Sequence, residues 1–129
     1  MPWRNSYLPF FEGVPLQLGF QQMKDKKSTQ WMRSYMVPNA TENGIQGIKE
    51  ISIEGTFTNS DFKQLQRIFD KAEVTDHEVN VFLNSNQQVT FKKAATYQVQ
   101  VILFSKNNTY HPNKIKIENT ELLIQCPNH

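Results

Sequence analysis

The spacing of apolar residues changes within the segment from Ile51 to Ala72. Apolar residues step by two as far as Phe57, which is the pattern of a half-buried β-strand. From there they step by three and four, which predicts an amphipathic helix of about three turns. The buried stripe of this predicted helix comprises Phe62, Leu65, Ile68, Phe69 and Ala72.

The start of this helix has a capping signal. Asn59 or Ser60 is predicted as the N-cap, and Asp61 follows in the first turn, where the helix dipole favours an anion. We expect the helix to pack its apolar stripe against a sheet.

Two strands are predicted before this region. In "VPLQLGFQQM", Leu16, Leu18 and Phe20 alternate with polar residues, which is typical of a half-buried strand. The segment "KDKKST" is predicted as a polar turn. "QWMRSYMVP" is then predicted as the second strand, ended by Pro38.

The second predicted strand carries large apolar side chains on both faces. Trp31 and Tyr35 share one face, and Met32 and Met36 lie on the other. Such a strand fits either a subunit contact or a strand covered on both faces within one domain.

A third strand is predicted in "IKEISIEGTFT". Its alternation slips by one residue between Ile48 and Ile51, so we expect a β-bulge or a twist there. After the helix, alternation predicts a hairpin-like turn over Asn84 to Gln87 and strands in "HEVNVFLNS", "QQVTFKK", "TYQVQVILFS" and "KIKIENTELLIQC".

These elements predict a mainly β protein with one α-helix. We interpret it as an antiparallel β-sandwich or squashed barrel whose helix covers one opening. Residues 1–129 fit a single domain. Residues 1–13 are predicted to form an extended N-terminal arm, because Pro2 and Pro9 discourage regular structure there. The arm lies against its own domain or against a neighbouring subunit.

Composition adds one candidate for ligand chemistry. The formal net charge of +2 is too small to argue for nucleic-acid binding by itself. Trp31 does have basic neighbours, and basic groups beside an aromatic ring can bind single strands. The candidate basic contact is Lys24, Lys26, Lys27 and Arg33, and the alternative is a solvated hairpin tip.

Motifs for catalysis are not found in the sequence. The single cysteine, Cys126, has no histidine at a motif spacing, so we predict no enzyme activity and no catalytic residue. The acidic run "EVTDHE", from Glu73 to Glu78, is interpreted as solvated rather than as a metal site. No cofactor, no metal and no membrane span is predicted.

The order of elements resembles a known family. The segments "FEGVPLQLGFQQ", "GIKEISIEGTFTNSDFKQLQRIFDKA" and "TYQVQVILFS" together resemble bacteriophage tail proteins of the tail-tube type. They are also similar to the tube proteins of contractile injection machines and of type VI secretion. The shared features are a strand pair, a loop, a strand of the "I-x-I-x-G-x-F-T" kind, one helix and returning strands.

This resemblance implies a non-enzymatic structural role in a tail tube, terminator or baseplate. It implies homo-oligomeric rings, often six-fold, that contact other tail proteins and surround a channel through which DNA passes. The location implied is the virion tail, assembled in the cytoplasm of the bacterial host. The alternative is a monomeric β-sandwich binding module that recognises a glycan or a host protein.

Large apolar side chains near the N-terminus are the predicted subunit contact. A soluble monomer rarely exposes a large apolar patch, so we expect these side chains to meet a neighbour. The set is Trp3, Phe10, Phe11, Trp31, Met32, Tyr35 and Met36.

Overall fold

The computed structural model describes residues 3–35, 44–83, 86–105 and 114–125. These residues are mainly β. The elements are β1 (Trp3–Tyr7), β2 (Gly19–Met23), α1 (Lys26–Arg33), β3 (Ile45–Gly55), α2 (Asn59–Ile68), β4 (Glu73–Val74), β5 (Glu78–Phe82), β6 (Gln88–Lys93), β7 (Gln98–Ser105), β8 (Lys114–Ile117) and β9 (Thr120–Gln125).

The chain divides into two compact units. The first, called here the N-terminal unit, comprises Met1–Phe11 and Pro15–Asn39. The second, called the sheet unit, comprises Glu12–Val14 and Ala40–His129. The prediction of a single domain over 1–129 stays a prediction. The predicted arm over 1–13 contains β1 and, at its end, the first residues of the sheet unit.

The N-terminal unit consists of a two-stranded sheet followed by a short helix. Strands β1 and β2 pair antiparallel, from Trp3 opposite Met23 to Tyr7 opposite Gly19. Asp25 then caps α1, because its Oδ1 accepts a hydrogen bond of 2.7 Å from the backbone N–H of Ser28. Hydrogen bonds from Ser28 lower the pKa of Asp25.

Helix α1 corrects the predicted second strand. Lys26–Arg33 is helical, so the predicted polar turn is the helix start and the predicted strand faces do not exist. The physical reason is local. Asp25 supplies an N-cap, and the run after it is rich in Lys, Gln, Met and Arg, which are good helix formers. Met36 and Pro38 lie outside the described residues. The fold therefore has a second helix. The first predicted strand is also shorter than expected, because Leu16 and Leu18 precede β2.

The sheet unit contains a seven-stranded mixed sheet. Its strand order is β4-β5-β6-β3-β7-β9-β8. The expectation of a wholly antiparallel arrangement is wrong, because β3 pairs parallel to β6 and β7 pairs parallel to β9. Parallel neighbours need a long crossover, and α2 lies in the connection from β3 to β6. Neither sheet formed by the described strands is closed.

Two local predictions in this unit are confirmed. The register of β3 against β7 shifts between Ile48 and Glu50, where the slipped alternation predicted a bulge. Strands β5 and β6 form the predicted antiparallel pair, and the N–H of Leu83 donates to the carbonyl of Gln87 at 2.8 Å. Asn84 lies outside the described residues.

Helix α2 covers part of the apolar face of this sheet. Phe62 and Leu65 are buried, as the helical stripe predicted. The Phe57 ring lies 5.8 Å from the Phe62 ring and 5.9 Å from the Phe91 ring, so one aromatic cluster joins the connection after β3, helix α2 and strand β6. The N-cap is Thr58, one residue before the prediction, because Thr58 forms a capping box with Asp61.

Candidate functional site

The N-terminal unit exposes large aromatic side chains. Trp31 of α1 is 49% exposed, and Tyr35 just beyond the helix is 69% exposed. Their rings contact edge to face, with centroids 5.3 Å apart. The other exposed aromatic side chains of this unit are Tyr7, Phe10 and Phe20.

This unit has little apolar burial of its own. None of the residues Lys26–Arg33 of α1 is buried. A helix shorter than about twelve residues is marginal in water without tertiary packing, and so is an isolated two-stranded sheet. Contact with another surface would therefore stabilise these elements. Burial of the exposed aromatic side chains would contribute most to that stabilisation.

The predicted contact residues fall into three groups. Phe10, Trp31 and Tyr35 are exposed, and Trp3 and Met32 are half-buried. Phe11 is only 6% exposed, so its side chain offers little surface to a partner. The seventh residue, Met36, lies outside the described residues.

In the N-terminal unit, sequence reasoning missed two exposed aromatic side chains. The alternation predicts that Phe20 lies on the buried face of a strand, yet 41% of its surface is exposed. Tyr7 lies on β1, the strand of the predicted arm. The spacing of apolar residues does not predict the pairing of β1 with β2, in which Tyr7 lies opposite Gly19 and Ser6 lies opposite Phe20.

The predicted basic residues gather on and beside α1. Lys26, Lys27 and Arg33 belong to the helix and Lys24 precedes it, and all are exposed. The N-terminal unit holds five basic side chains and one acidic side chain, a net charge of +4. The sheet unit holds nine basic and eleven acidic side chains, a net charge of −2. Charge is thus divided unequally between the units.

An acidic segment lies after α2 in the sheet unit. It runs from residue 70 to residue 78, and it contains four carboxylates and one lysine, Lys71. Asp70, Glu73 and Asp76 are exposed, and Glu78 accepts a hydrogen bond of 3.0 Å from Asn80. The run interpreted as solvated therefore does lie largely at the surface.

A shallow groove borders this acidic segment. It has a volume of about 290 Å3 and lies between the end of α2 and the end of β5. Phe82 and Leu83 are 53% and 48% exposed there. The groove is lined by Ile68, Phe69, Asp70, Lys71, Ala72, Val81, Phe82 and Leu83.

One face of the large sheet carries a polar row across six strands. Strand register places its members side by side, and they are Asn80, Thr90, Ser52, Gln100, Glu121 and Lys116. The sequence does not predict this row, because each polar residue taken alone is typical of the solvent-exposed face of a strand. Thr90 and Ser52 are nevertheless buried, at 1% and 3% exposure.

The polar row satisfies its own hydrogen bonds. Thr90 lies within hydrogen-bond distance of Asn80 and of Glu50, at 2.8 and 3.0 Å. Gln100 donates to Glu121 at 2.9 Å, and this bond, together with Lys114 at 3.3 Å, lowers the pKa of Glu121. Within the described part of the chain, no buried side-chain nitrogen or oxygen lacks a partner. We therefore interpret the row as a hydrogen-bonded network that stabilises the sheet.

Comparison with known proteins supports the fold alone. No family model matches the sequence, and no curated protein matches it significantly. A crystal structure of a hypothetical protein from Staphylococcus aureus is similar, with a TM-score of 0.66 and 15% sequence identity. The similarity covers 97% of this chain and 50% of that protein, so the chain spans about half of its length. None of the helices in the described ranges is long and apolar enough to cross a membrane.

Proposed function

We propose that the chain is a non-enzymatic structural component of a bacteriophage tail or of a phage-like contractile tail. It assembles as rings in the tail tube, the terminator or the baseplate. The observation that carries the proposal is the N-terminal unit, whose exposed Trp31 and Tyr35 accompany a helix with no buried residue. Elements of this kind gain stability from a neighbouring subunit.

The sheet unit supports a structural role rather than a catalytic one. Its buried carboxylates, Asp61 and Glu121, are occupied by hydrogen bonds that hold the fold together. The mixed sheet with α2 on one face is compatible with a tail-tube-like protein, and the sandwich or squashed-barrel arrangement belongs to this proposal.

The family resemblance supplies the remaining parts of the proposal. The ring is six-fold, it contacts other tail proteins, and DNA passes through its channel without sequence-specific binding. The protein then belongs to the virion tail and assembles in the cytoplasm of the bacterial host.

A binding module is the second candidate function. The exposed Trp31–Tyr35 pair favours it, because aromatic faces also bind sugars and peptides through apolar contact. In this alternative the protein is a monomer that recognises a glycan or a host protein.

Oligomeric state separates the two functions. The test is light scattering across a range of protein concentrations, combined with negative-stain microscopy of the same samples. Closed rings are expected from the tail component. A protein that stays monomeric and binds an immobilised glycan or host-surface protein would instead favour the binding module.

A further inference from the structure

We propose that the groove between α2 and β5 of one copy receives α1 of a second copy, with Trp31 and Tyr35 as the anchoring side chains. This inference rests on the proposed ring assembly and specifies the surfaces that form its subunit contact. It joins two features that the proposed function leaves without a role, the groove and the acidic segment beside it.

The α1 surface has the composition of an interface centre. Trp, Tyr and Arg are the residue types that contribute most to binding energy at protein interfaces. Trp31 and Tyr35 are already in ring contact, so little conformational freedom is lost when they are covered. Lys27 lies one helical turn before Trp31, and Arg33 ends the helix.

The groove offers apolar surface at an incompletely covered part of the sheet. Strand β4 pairs only with Val79 and Asn80 of β5, so within the described strands it leaves the Phe82 end of β5 uncovered. The apolar lining is Ile68, Phe69, Ala72, Val81, Phe82 and Leu83. At about 290 Å3 the groove is at the lower limit of pockets for small molecules, which favours one or two large side chains as its occupant.

Charge complementarity selects a second copy as the partner. Residues 24 to 33 contain four basic and one acidic side chain, a net charge of +3. Residues 70 to 78 contain four acidic side chains and one lysine, a net charge of −3 with His77 neutral. Opposite potentials steer association and set the orientation of the partners. The chain thus carries a basic aromatic surface and an apolar groove that is bordered by a segment of opposite charge.

The contact is heterologous, because each copy uses α1 toward one neighbour and the groove toward the other. Heterologous contacts close into rings when the rotation between copies allows it. This agrees with the ring proposed above and differs from a two-fold dimer, in which α1 would meet α1.

Disulfide trapping tests the contact itself. In the full chain carrying Cys126→Ser, Gln30→Cys marks α1 and Lys71→Cys marks the groove. Oxidation of the mixed variants is expected to give a cross-linked heterodimer, because a disulfide forms only when the two Cα atoms approach within about 7 Å. The matched control pairs Gln30→Cys with Glu118→Cys, on the exposed turn between β8 and β9, and is expected to give far less product.

Charge exchange provides a second readout in solution. Lys27→Glu and Glu73→Lys are each expected to raise the protein concentration for half-assembly by about tenfold. The double variant is expected to return this concentration to the wild-type value. Arg4→Glu, on β1, is the control for an equal change of charge.

The outcomes distinguish the contact from the ring. Two results overturn this inference without contradicting the ring assembly. One is the formation of rings without a disulfide between cysteines at positions 30 and 71, and the other is a disulfide between two copies of Gln30→Cys. The cross-link with restoration by the double exchange, but without closed rings in microscopy, supports the contact and counts against the tail function. Absence of both the cross-link and any assembly overturns both proposals.

Discussion

The carboxylate of Asp61 accepts a hydrogen bond of 3.0 Å from the backbone N–H of Gly13, 48 residues away in the chain. The same carboxylate accepts from Glu12 at 2.7 Å and from Thr58 at 2.9 Å, and Asp61 is only 1% exposed. Asp61 therefore caps its own helix and also fixes the short segment Glu12–Val14 within the sheet unit.

Gly13→Ala is expected to destabilise the protein by roughly 2–4 kcal/mol. A Cβ atom at this position would overlap the carbonyl oxygen of Thr56 and approach the Asp61 carboxylate, so the backbone would have to move. Urea denaturation followed by circular dichroism measures the change in the free energy of unfolding. Gly47→Ala is the matched control, because its Cβ would make only an ordinary contact with the Phe104 ring at 3.4 Å. Equal effects of the two substitutions would contradict the role given to Gly13.

Asp61 also predicts how stability depends on pH. Burial raises the pKa of Asp61, but backbone hydrogen bonds from Thr58, Glu12 and Gly13 outweigh it, and the net pKa is lowered. A carboxyl whose pKa is lower when folded stabilises the fold above its unfolded pKa, about 3.9, and this contribution disappears as the pH falls through the folded pKa.

We therefore expect the wild-type protein to lose stability as the pH falls below about 4, and Asp61→Asn to lose less over the same range. At pH 7, Asp61→Asn is expected to be less stable by roughly 2–4 kcal/mol, since the amide cannot accept all three hydrogen bonds. Thermal melts of both proteins at several pH values measure the difference. Parallel stability curves for the two proteins across the acidic range would exclude this role for Asp61.

The sequence could predict those helices and strands that depend on residues close together in the chain. The period change before α2 and the slip at Ile48 are local signals, and the helix and the register shift both occur in the regions expected. Helix α2 ends at Ile68, however, so Phe69 and Ala72 of the predicted stripe lie beyond it. The tie between Asp61 and Gly13 spans a long segment and leaves no periodicity. The sequence consequently predicts only a helix-dipole role for Asp61, although its carboxylate also accepts hydrogen bonds from the distant segment Glu12–Val14.

The error at α1 has a different cause. Trp31 and Tyr35 would share one face of a strand, as would Met32 and Met36, but a spacing of four residues also brings side chains to one face of a helix. Asp25 was the signal that could have decided for a helix, because its side chain caps Ser28. The sequence could predict the candidate contact residues, because they are large and apolar. Their exposure on a helix, and the groove bordered by an acidic segment, could be seen only in the folded structure.

Leu65→Ala is expected to destabilise the protein by about 2–5 kcal/mol. Leu65 is fully buried in α2, and its removal leaves a cavity beside Phe62 on the same helix. Gln66→Ala, on the exposed side of the same helix, is the matched control and is expected to change stability by less than about 0.5 kcal/mol. Chemical denaturation of both variants provides the measurement, and equal small effects would contradict the burial of this face.

The last prediction concerns assembly. Tyr35→Asp places a charge on a side chain that is 69% exposed and lies beyond the last residue of α1. If this surface is a subunit contact, the variant is expected to be a folded monomer, because the buried charge would have to lose its hydration in the ring. Met32→Asp, one turn earlier, is expected to act in the same direction.

Gln66→Glu adds an equal charge to the exposed side of α2 and is the control that should still assemble. Light scattering reports the assembly and circular dichroism the fold at matched concentration. Rings formed equally by Tyr35→Asp and by the control would remove the Trp31–Tyr35 surface from the subunit contact, whereas folded monomers from Tyr35→Asp alone would assign it there.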